Sequence, residues 1–244
     1  MKTVSNEISI VSYSLPWFVA RDEGFFESEG LNVEFIRAKR TQGNGSTDPS
    51  TKDPILGHIA FDEGKVSLYR AWEEGQVRRA YESDKKMKET CDSGAHVVAM
   101  EPSRPAMAVV TSPDSDVDHP AQLADLPIAV NFHAGSHFAC IRMLEGFLGQ
   151  KHLNMLDYGH PEFRFDAMMR GEVSAAVIME PFITLAEKLG CNILTEAFFT
   201  STDVARDDMD EDTLTALFKA LGRAVDYLNQ NPQHKRQYVH YLLE

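Results

Sequence analysis

The sequence predicts an α/β protein built on parallel-rich sheets. Three observations carry this. The N-terminal third reads strand, helix, strand: Ile8 to Val11, then Trp17 to Phe26, then Leu31 to Ile36 with Leu31, Val33 and Phe35 on one face. An apolar run from Pro127 to Val130 breaks at Gly135-Ser136 and passes into a helical pattern, Phe138, Ile141, Leu144 and Leu148. The same order returns at Ser174–Leu189, where a buried strand ends at Glu180-Pro181 and a helix follows. Repeated β-α-β units imply right-handed crossovers and parallel pairs.

The bulk numbers exclude several classes. At 244 residues the chain can bury a full core. Its formal net charge of −13 argues against a nucleic-acid partner, which needs clustered Lys and Arg. The short basic run Lys85-Lys86-Met87-Lys88 reads as a solvated helix end or loop. No stretch approaches the roughly 20 apolar residues of a membrane span, so no membrane insertion is expected. The three cysteines, Cys91, Cys140 and Cys191, are widely spaced, which suits free thiols and no zinc site. The N-terminus runs directly into a strand with no apolar leader. As written this places the protein in the cytoplasm; it would be periplasmic if a signal peptide had been removed.

Taken in order, the first strand spans Glu7 to Tyr13, and Pro16 opens a helix that Gly30 stops. Residues 39–54 form a long polar loop, a length that is usually functional. Ile55 to Ala60 reads as a strand carrying His58. A helix is expected from Asp62 through Val66, Tyr69 and Trp72 to Glu74, with a strand at Gln76 to Tyr81 and a polar loop over 82–95. Ala95 to Met100 and Pro105 to Thr111 read as two strands joined by a stiff link, Glu101-Pro102-Ser103-Arg104-Pro105. His119 to Leu123 starts a short helix, and the helix after Gly135 runs to about Gln150. Phe163 to Gly171 is helical, and Asn192 to Leu194 is a short strand. Asp210 to Asn229 shows a clear 3.6 period in Leu214, Leu217, Phe218, Leu221, Val225 and Leu228. Asn231-Pro232 caps a last helix.

The junction Asn131-Phe132-His133-Ala134-Gly135-Ser136-His137 is the strongest local candidate for a site. A strand ending in a small-residue turn that opens a helix aims unpaired N–H groups at one spot, with the positive end of the helix dipole behind them. That suits a carboxylate, sulfonate, phosphate or polarised carbonyl. Ser136 is a plausible N-cap there. His58 and Asp62 lie four apart, close enough for the carboxylate to orient an imidazole acting as acid or base.

Four stretches resemble a known family. Trp17-Phe18-Val19-Ala20-Arg21-Asp22-Glu23-Gly24-Phe25-Phe26 through Leu31-Asn32-Val33-Glu34 resembles the opening of the periplasmic-binding-protein-like family, which includes sulfonate-, nitrate- and taurine-binding proteins and thiamine-pyrimidine synthases. Leu126 to Val130 followed by Gly135-Ser136 is similar to its second-domain strand and ligand turn. Arg170-Gly171-Glu172-Val173-Ser174-Ala175-Ala176 to Glu180-Pro181 resembles its glycine-acid to Glu-Pro stretch, and Leu217 to Leu242 resembles its C-terminal helices. The resemblance implies a two-lobed type II fold with a ligand cleft between lobes. Lobe one would be 1–101 plus 192–244 and lobe two 102–191. Ligand-binding candidates are then Tyr13, Ser14, Trp17, His133, Gly135, Ser136, His137 and Glu180.

The implied function is a small-molecule, anionic-solute-binding protein of the ABC-transporter type, with a transporter permease as partner if the protein is exported. The alternative is a cytoplasmic lyase-, desulfinase-, decarboxylase- or hydrolase-like enzyme on the same scaffold. It would use His58 as acid/base and Asp62 as its orienting group. The desulfinase cysteine and the pyrimidine synthase's cysteine-rich motif are both missing. No cofactor and no metal is assigned.

Overall fold

The computed structural model describes residues 1–8, 12–51, 58–72 and 94–242. The chain opens with β1 (Lys2–Ile8), a 3-10 turn at Ser12–Ser14, α1 (Leu15–Asp22), α2 (Phe25–Ser28) and β2 (Leu31–Arg37). Gly24 separates the two helices in the left-handed region (φ 71°), where a side chain would be strained. Next come α3 (Ile59–Asp62), β3 (Leu68–Trp72) and β4 (Ala95–Thr111). They are followed by β5 (Pro127–Val130), α4 (Gly135–Leu144), β6 (Asn154–Asp157), α5 (Pro161–Met169), β7 (Ala175–Met179) and α6 (Phe182–Lys188). The chain ends in β8 (Asn192–Arg206), α7 (Glu211–Gln230) and a 3-10 tail, Pro232–Leu242.

Among the described residues the strands form one mixed sheet in the order β2-β1-β3-β8-β4-β7-β5-β6. The flanks are parallel, as β-α-β crossovers require: β1 pairs with β2 and β3, and β5 with β6 and β7. The centre is antiparallel, formed by two long strands, β4 and β8. β8 continues to β3 over Ser201–Ala205, and β4 continues to β7 over Met107–Val110. Each long strand therefore serves both flanks, and their register shifts between Ser103 and Ala106 where they pass from one to the other.

Three helical layers cover the sheet. α1, α2 and α7 cover one face of the β1–β2–β3 flank, burying Val4, Trp17, Leu31, Leu217 and Leu221 together. Each such side chain contributes about 1.5–3 kcal/mol on burial. α4 covers one face of the other flank over Val109, Ile128, Val130 and Val177, and α5 and α6 cover its opposite face over Val110, Phe165, Met168 and Ile178. The β7 strand is buried along its whole length, which explains its unbroken apolar run.

Several sequence expectations are corrected. The first strand begins at Lys2, not Glu7. The helix expected over Asp62–Glu74 is replaced by β3 after a short α3, and His58 precedes that helix instead of lying in a strand. The two strands and stiff link at 95–111 are one strand. The strand at Asn192 runs fifteen residues, and β6 was not expected at all. The helix from Gly135 stops at Leu144. The strand expected at Gln76–Tyr81, most of the loop over 82–95, the basic run at 85–88 and Cys91 lie outside the described residues. Cys140 and Cys191 are buried and free, and burial pushes the Cys140 thiol up to about 12.

Candidate functional site

Turns from both flanks meet where parallel strands end. After β1 the 3-10 turn carries Ser12, Tyr13 and Ser14 into α1. Ser12 Oγ donates to the Glu180 carbonyl just beyond β7, at 3.2 Å. The Tyr13 ring packs edge-on against Phe199 (5.5 Å, 77°) and against the cluster that holds Val130, Phe132, Ala139 and Met179. One aromatic side chain of the first flank thus packs against the core of the second. Its hydroxyl is buried, with the Glu180 backbone beside it. Burial raises the phenol well above its usual range, with the Glu180 backbone and the Arg164 charge opposing. Ser14, the residue before α1, is buried.

The junction after β5 is held by its own side chains. Ser136 is not the N-cap; Ala134 occupies that position, and Ser136 Oγ accepts the Asn131 N–H at 2.9 Å. Phe132 N–H donates to Asp157 Oδ1 at the end of β6 (3.2 Å), and His133 N–H donates to His137 Nδ1 (3.3 Å). His133 sits at φ 63°, and its Nε2 lies 2.8 Å from the Pro49 carbonyl. A ring nitrogen facing a carbonyl carries a proton, and in the neutral ring Nδ1 is then the acceptor. That Nδ1 is buried and has no hydrogen-bond partner among the described residues. The N–H groups of Gly135 and Ser136, first in α4, find no acceptor among the described residues.

Glu180 follows β7, and its carboxylate accepts from Thr184 Oγ1 (2.9 Å) and Thr184 N–H (3.2 Å), closing the first turn of α6. Trp17 is fully buried against Phe26 and Phe35, with the Arg70 guanidinium 5.7 Å from its ring. The structure therefore places Trp17 in the core beneath the turn, whereas Tyr13 lies at the meeting point. His58 and Asp62 are buried at the two ends of α3. The His58 ring lies 4.2 Å from that of Tyr69, and its Nδ1 is 3.8 Å from Glu7 Oε2, which also accepts the Phe61 N–H. Glu7, not anticipated from sequence, is thus a carboxylate beside this imidazole.

Three further groups escaped the sequence reading. Arg70 and Asp203 form a buried two-pronged pair at 2.7 Å, and Arg70 Nη1 reaches the Tyr13 carbonyl at 3.4 Å. Arg164, on α5, is 2% exposed; its Nε donates to the Val177 carbonyl and Nη1 to that of Gly159. Burial brings the Arg164 guanidinium down to about 10, opposed by Glu162, Asp157 and Tyr13. The signal was present: Arg164 shares a helix face with Ala167 and Met168, an i, i+3, i+4 apolar stripe on which an arginine is out of place. Among the described residues no group of three or more His, Cys, Asp or Glu could hold a metal ion.

The comparisons with known proteins bear on the fold. Neither a protein-family model nor a curated protein matches the chain. Solved structures do. The periplasmic aliphatic sulphonate-binding protein of Escherichia coli superposes with a TM-score of 0.69 at 15% identity, over 96% of this chain and 76% of its own. The alkanesulfonate-binding protein of Xanthomonas axonopodis pv. citri, bound to MOPS, gives 0.70 at 15% identity over the same shares. The chain has the periplasmic-binding-protein fold. A Candida albicans protein described as having the generic form of that fold gives 0.69 at 15% identity, over 98% of this chain and 76% of its own. In a periplasmic-binding-protein fold the strand ends that gather Tyr13, the 131–137 turn and Glu180 are where open α/β sheets place ligands. Among the described residues no helix is long and apolar enough to cross a membrane.

Proposed function

We propose that this protein is a solute-binding protein of the ABC-transporter type that closes two lobes on a small acid. Lobe one is 1–101 plus 192–244 and lobe two is 102–191, joined through the long strands β4 and β8. The observation that carries the reading is Tyr13, a residue of the first lobe whose partly buried ring packs against the core cluster of the second. The N–H groups of Gly135 and Ser136, without an acceptor among the described residues, favour an anionic or carbonyl oxygen. His133 Nδ1 supplies an acceptor for a ligand donor. Ser136 fixes the turn instead of touching the ligand, and Ser14, His137 and Glu180 shape the walls. Two structural relatives bind sulfonates, and the E. coli one is periplasmic. This favours the exported alternative over the cytoplasmic one, with a membrane permease as the docking partner.

The enzyme reading keeps one specific observation, the Glu7–His58 approach of 3.8 Å in a buried setting. Thermal denaturation with a panel of small acids, followed by analysis of the recovered acid, separates the two. Ligand at about 100 times its dissociation constant adds roughly 2.7 kcal/mol. A stabilising acid recovered unchanged supports a binding protein; its consumption, lost in His58→Ala, would replace that reading with the enzyme.

A further inference from the structure

The segment after β2 belongs to lobe one by its place in the chain, yet it bonds to lobe two. Thr41 N–H donates to His160 Nδ1 (3.0 Å), and the Thr41 carbonyl accepts the His160 N–H (3.2 Å). Gln42 bridges Gly159, Gly45 N–H donates to the Asp157 carbonyl (2.8 Å), and Asp157 N–H donates to the Ser46 carbonyl (2.9 Å). The Pro49 carbonyl faces His133 Nε2 at 2.8 Å, and Arg40 pairs with Glu162 of α5 at 3.7 Å. Beyond these partners, the hydrogen bonds of 41–51 among the described residues stay within the segment: Asn44 Oδ1 accepts the Ser46 N–H, and Asp48 Oδ1 the Ser50 N–H. None of them returns to β1, β2 or β3. The fit is backbone against backbone. A Cβ on Gly43 would stand 2.2 Å from the Asp157 carbonyl oxygen, and one on Gly159 2.1 Å from that of Thr41.

β2 and β6 are the two end strands of the eight-stranded sheet. A segment that leaves β2 and docks beside β6 ties those ends together, independently of the long strands β4 and β8. No side chain of 41–51 is buried, so hydrogen bonds and close backbone fit hold the segment with no apolar core beneath it. Each such bond is a modest net gain, because water competes for both partners. A contact of this kind exchanges between docked and free, and its differential strength shifts an equilibrium between two arrangements. We propose that residues 41–51 form a clasp that docks on lobe two only when the lobes are together, and so biases the ligand-free protein toward the closed arrangement. This rests on the two-lobe division proposed above. Docking and closure favour each other by linkage: whatever closes the lobes docks the clasp, and whatever frees the clasp opens them. His133 is one of its anchors, so the clasp reaches the 131–137 turn of the candidate site.

The test uses the full chain without ligand. Gly43→Ala bars the docked segment through the Asp157 carbonyl and leaves the free segment unhindered. Thr47→Ala, at an exposed position outside the bonds to lobe two, is the control. Small-angle scattering should give a larger radius of gyration for Gly43→Ala than for the parent. Limited digestion with a non-specific protease should cut within 41–51 about tenfold faster. Thr47→Ala should match the parent in both. Gly159→Ala builds the same clash from lobe two and gives the same readings should Gly43→Ala not fold. Faster cutting with an unchanged radius would reduce the segment to a cover for the β6 edge and overturn the clasp. Unchanged cutting in both glycine variants would mean that the segment is not docked on lobe two, and would overturn it as well. Either failure leaves the small-molecule reading to be decided by its own panel of acids.

Discussion

Buried charges at two positions support the turn that carries Tyr13. The Arg70–Asp203 pair lies inside the sheet on the face that carries Trp17, and one Arg70 nitrogen supports the Tyr13 carbonyl. Removing one partner of a buried pair strands the other charge. Asp203→Asn should therefore cost about 3–5 kcal/mol in urea unfolding, whereas an exposed pair would cost under about 1 kcal/mol. A loss below about 1 kcal/mol would show that the pair contributes little. The sequence showed Tyr13, His133 and Ser136 as polar residues at element ends, which is where strand–helix junctions place them. It did not show Arg70 or Glu7, because a charge inside an apolar pattern reads as a solvated face until the partner from another element is known; Arg164 was legible only as a break in an apolar helix stripe. Ser136 illustrates the converse: its position was legible, but its hydroxyl is consumed by Asn131 N–H.

Elements with one buried face were legible, and those buried on both faces or spanning both flanks were not. α7 has Leu217, Leu221 and Leu228 on one buried stripe and was anticipated almost to its ends. β3 was taken for a helix because Val66, Tyr69 and Trp72 fall three apart. In the structure Leu68 faces one cluster and Tyr69 another, so the apolar residues are consecutive and the strand period is hidden. β8 was cut short because Thr195 to Phe198 are half-exposed where the strand passes between flanks. A second element-scale feature is the segment after β2. Gln42 bridges Gly159, Gly45 N–H donates to Asp157 O, and Asp157 N–H donates to Ser46 O, so this segment straps the exposed edge of β6. A Cβ on Gly159 would run into Thr41 O, and one on Gly43 into Asp157 O; Gly159 is also at φ 74°. Gly159→Ala should release the strap, seen as faster proteolysis within 41–51 with the rest of the chain still folded. Unchanged proteolysis would contradict this. At α7, Asp210 accepts the Thr213 N–H and pairs with Lys2 of β1, which hold its carboxyl below the usual aspartate range. A depressed carboxyl pKa stabilises the fold above the unfolded value and loses that effect as pH falls. Asp210→Asn should accordingly flatten the decline in stability below about pH 4. An unaltered acid limb in a pH series of melting temperatures would refute the assignment.

At the scale of the whole molecule, two long antiparallel strands carry the chain between flanks, and Ser12, Tyr13 and the strap link the flanks where they meet. On the proposed two-lobe reading, this contact opens on these strands without unfolding either core. Addition of a stabilising acid should therefore shrink the radius of gyration in solution scattering, and an unchanged radius would mean that the lobes do not move. The fold's outline was readable because each flank repeats β-α-β; the antiparallel centre was not, because long-range pairing of β4 with β8 leaves no local pattern. The measurement that tests the central claim most directly is hydrogen exchange by mass spectrometry, with and without a stabilising acid. The account predicts new protection in both Tyr13–Trp17 and Asn131–Ser136. Protection confined to one of these segments, or appearing in neither, would contradict a ligand held between two lobes.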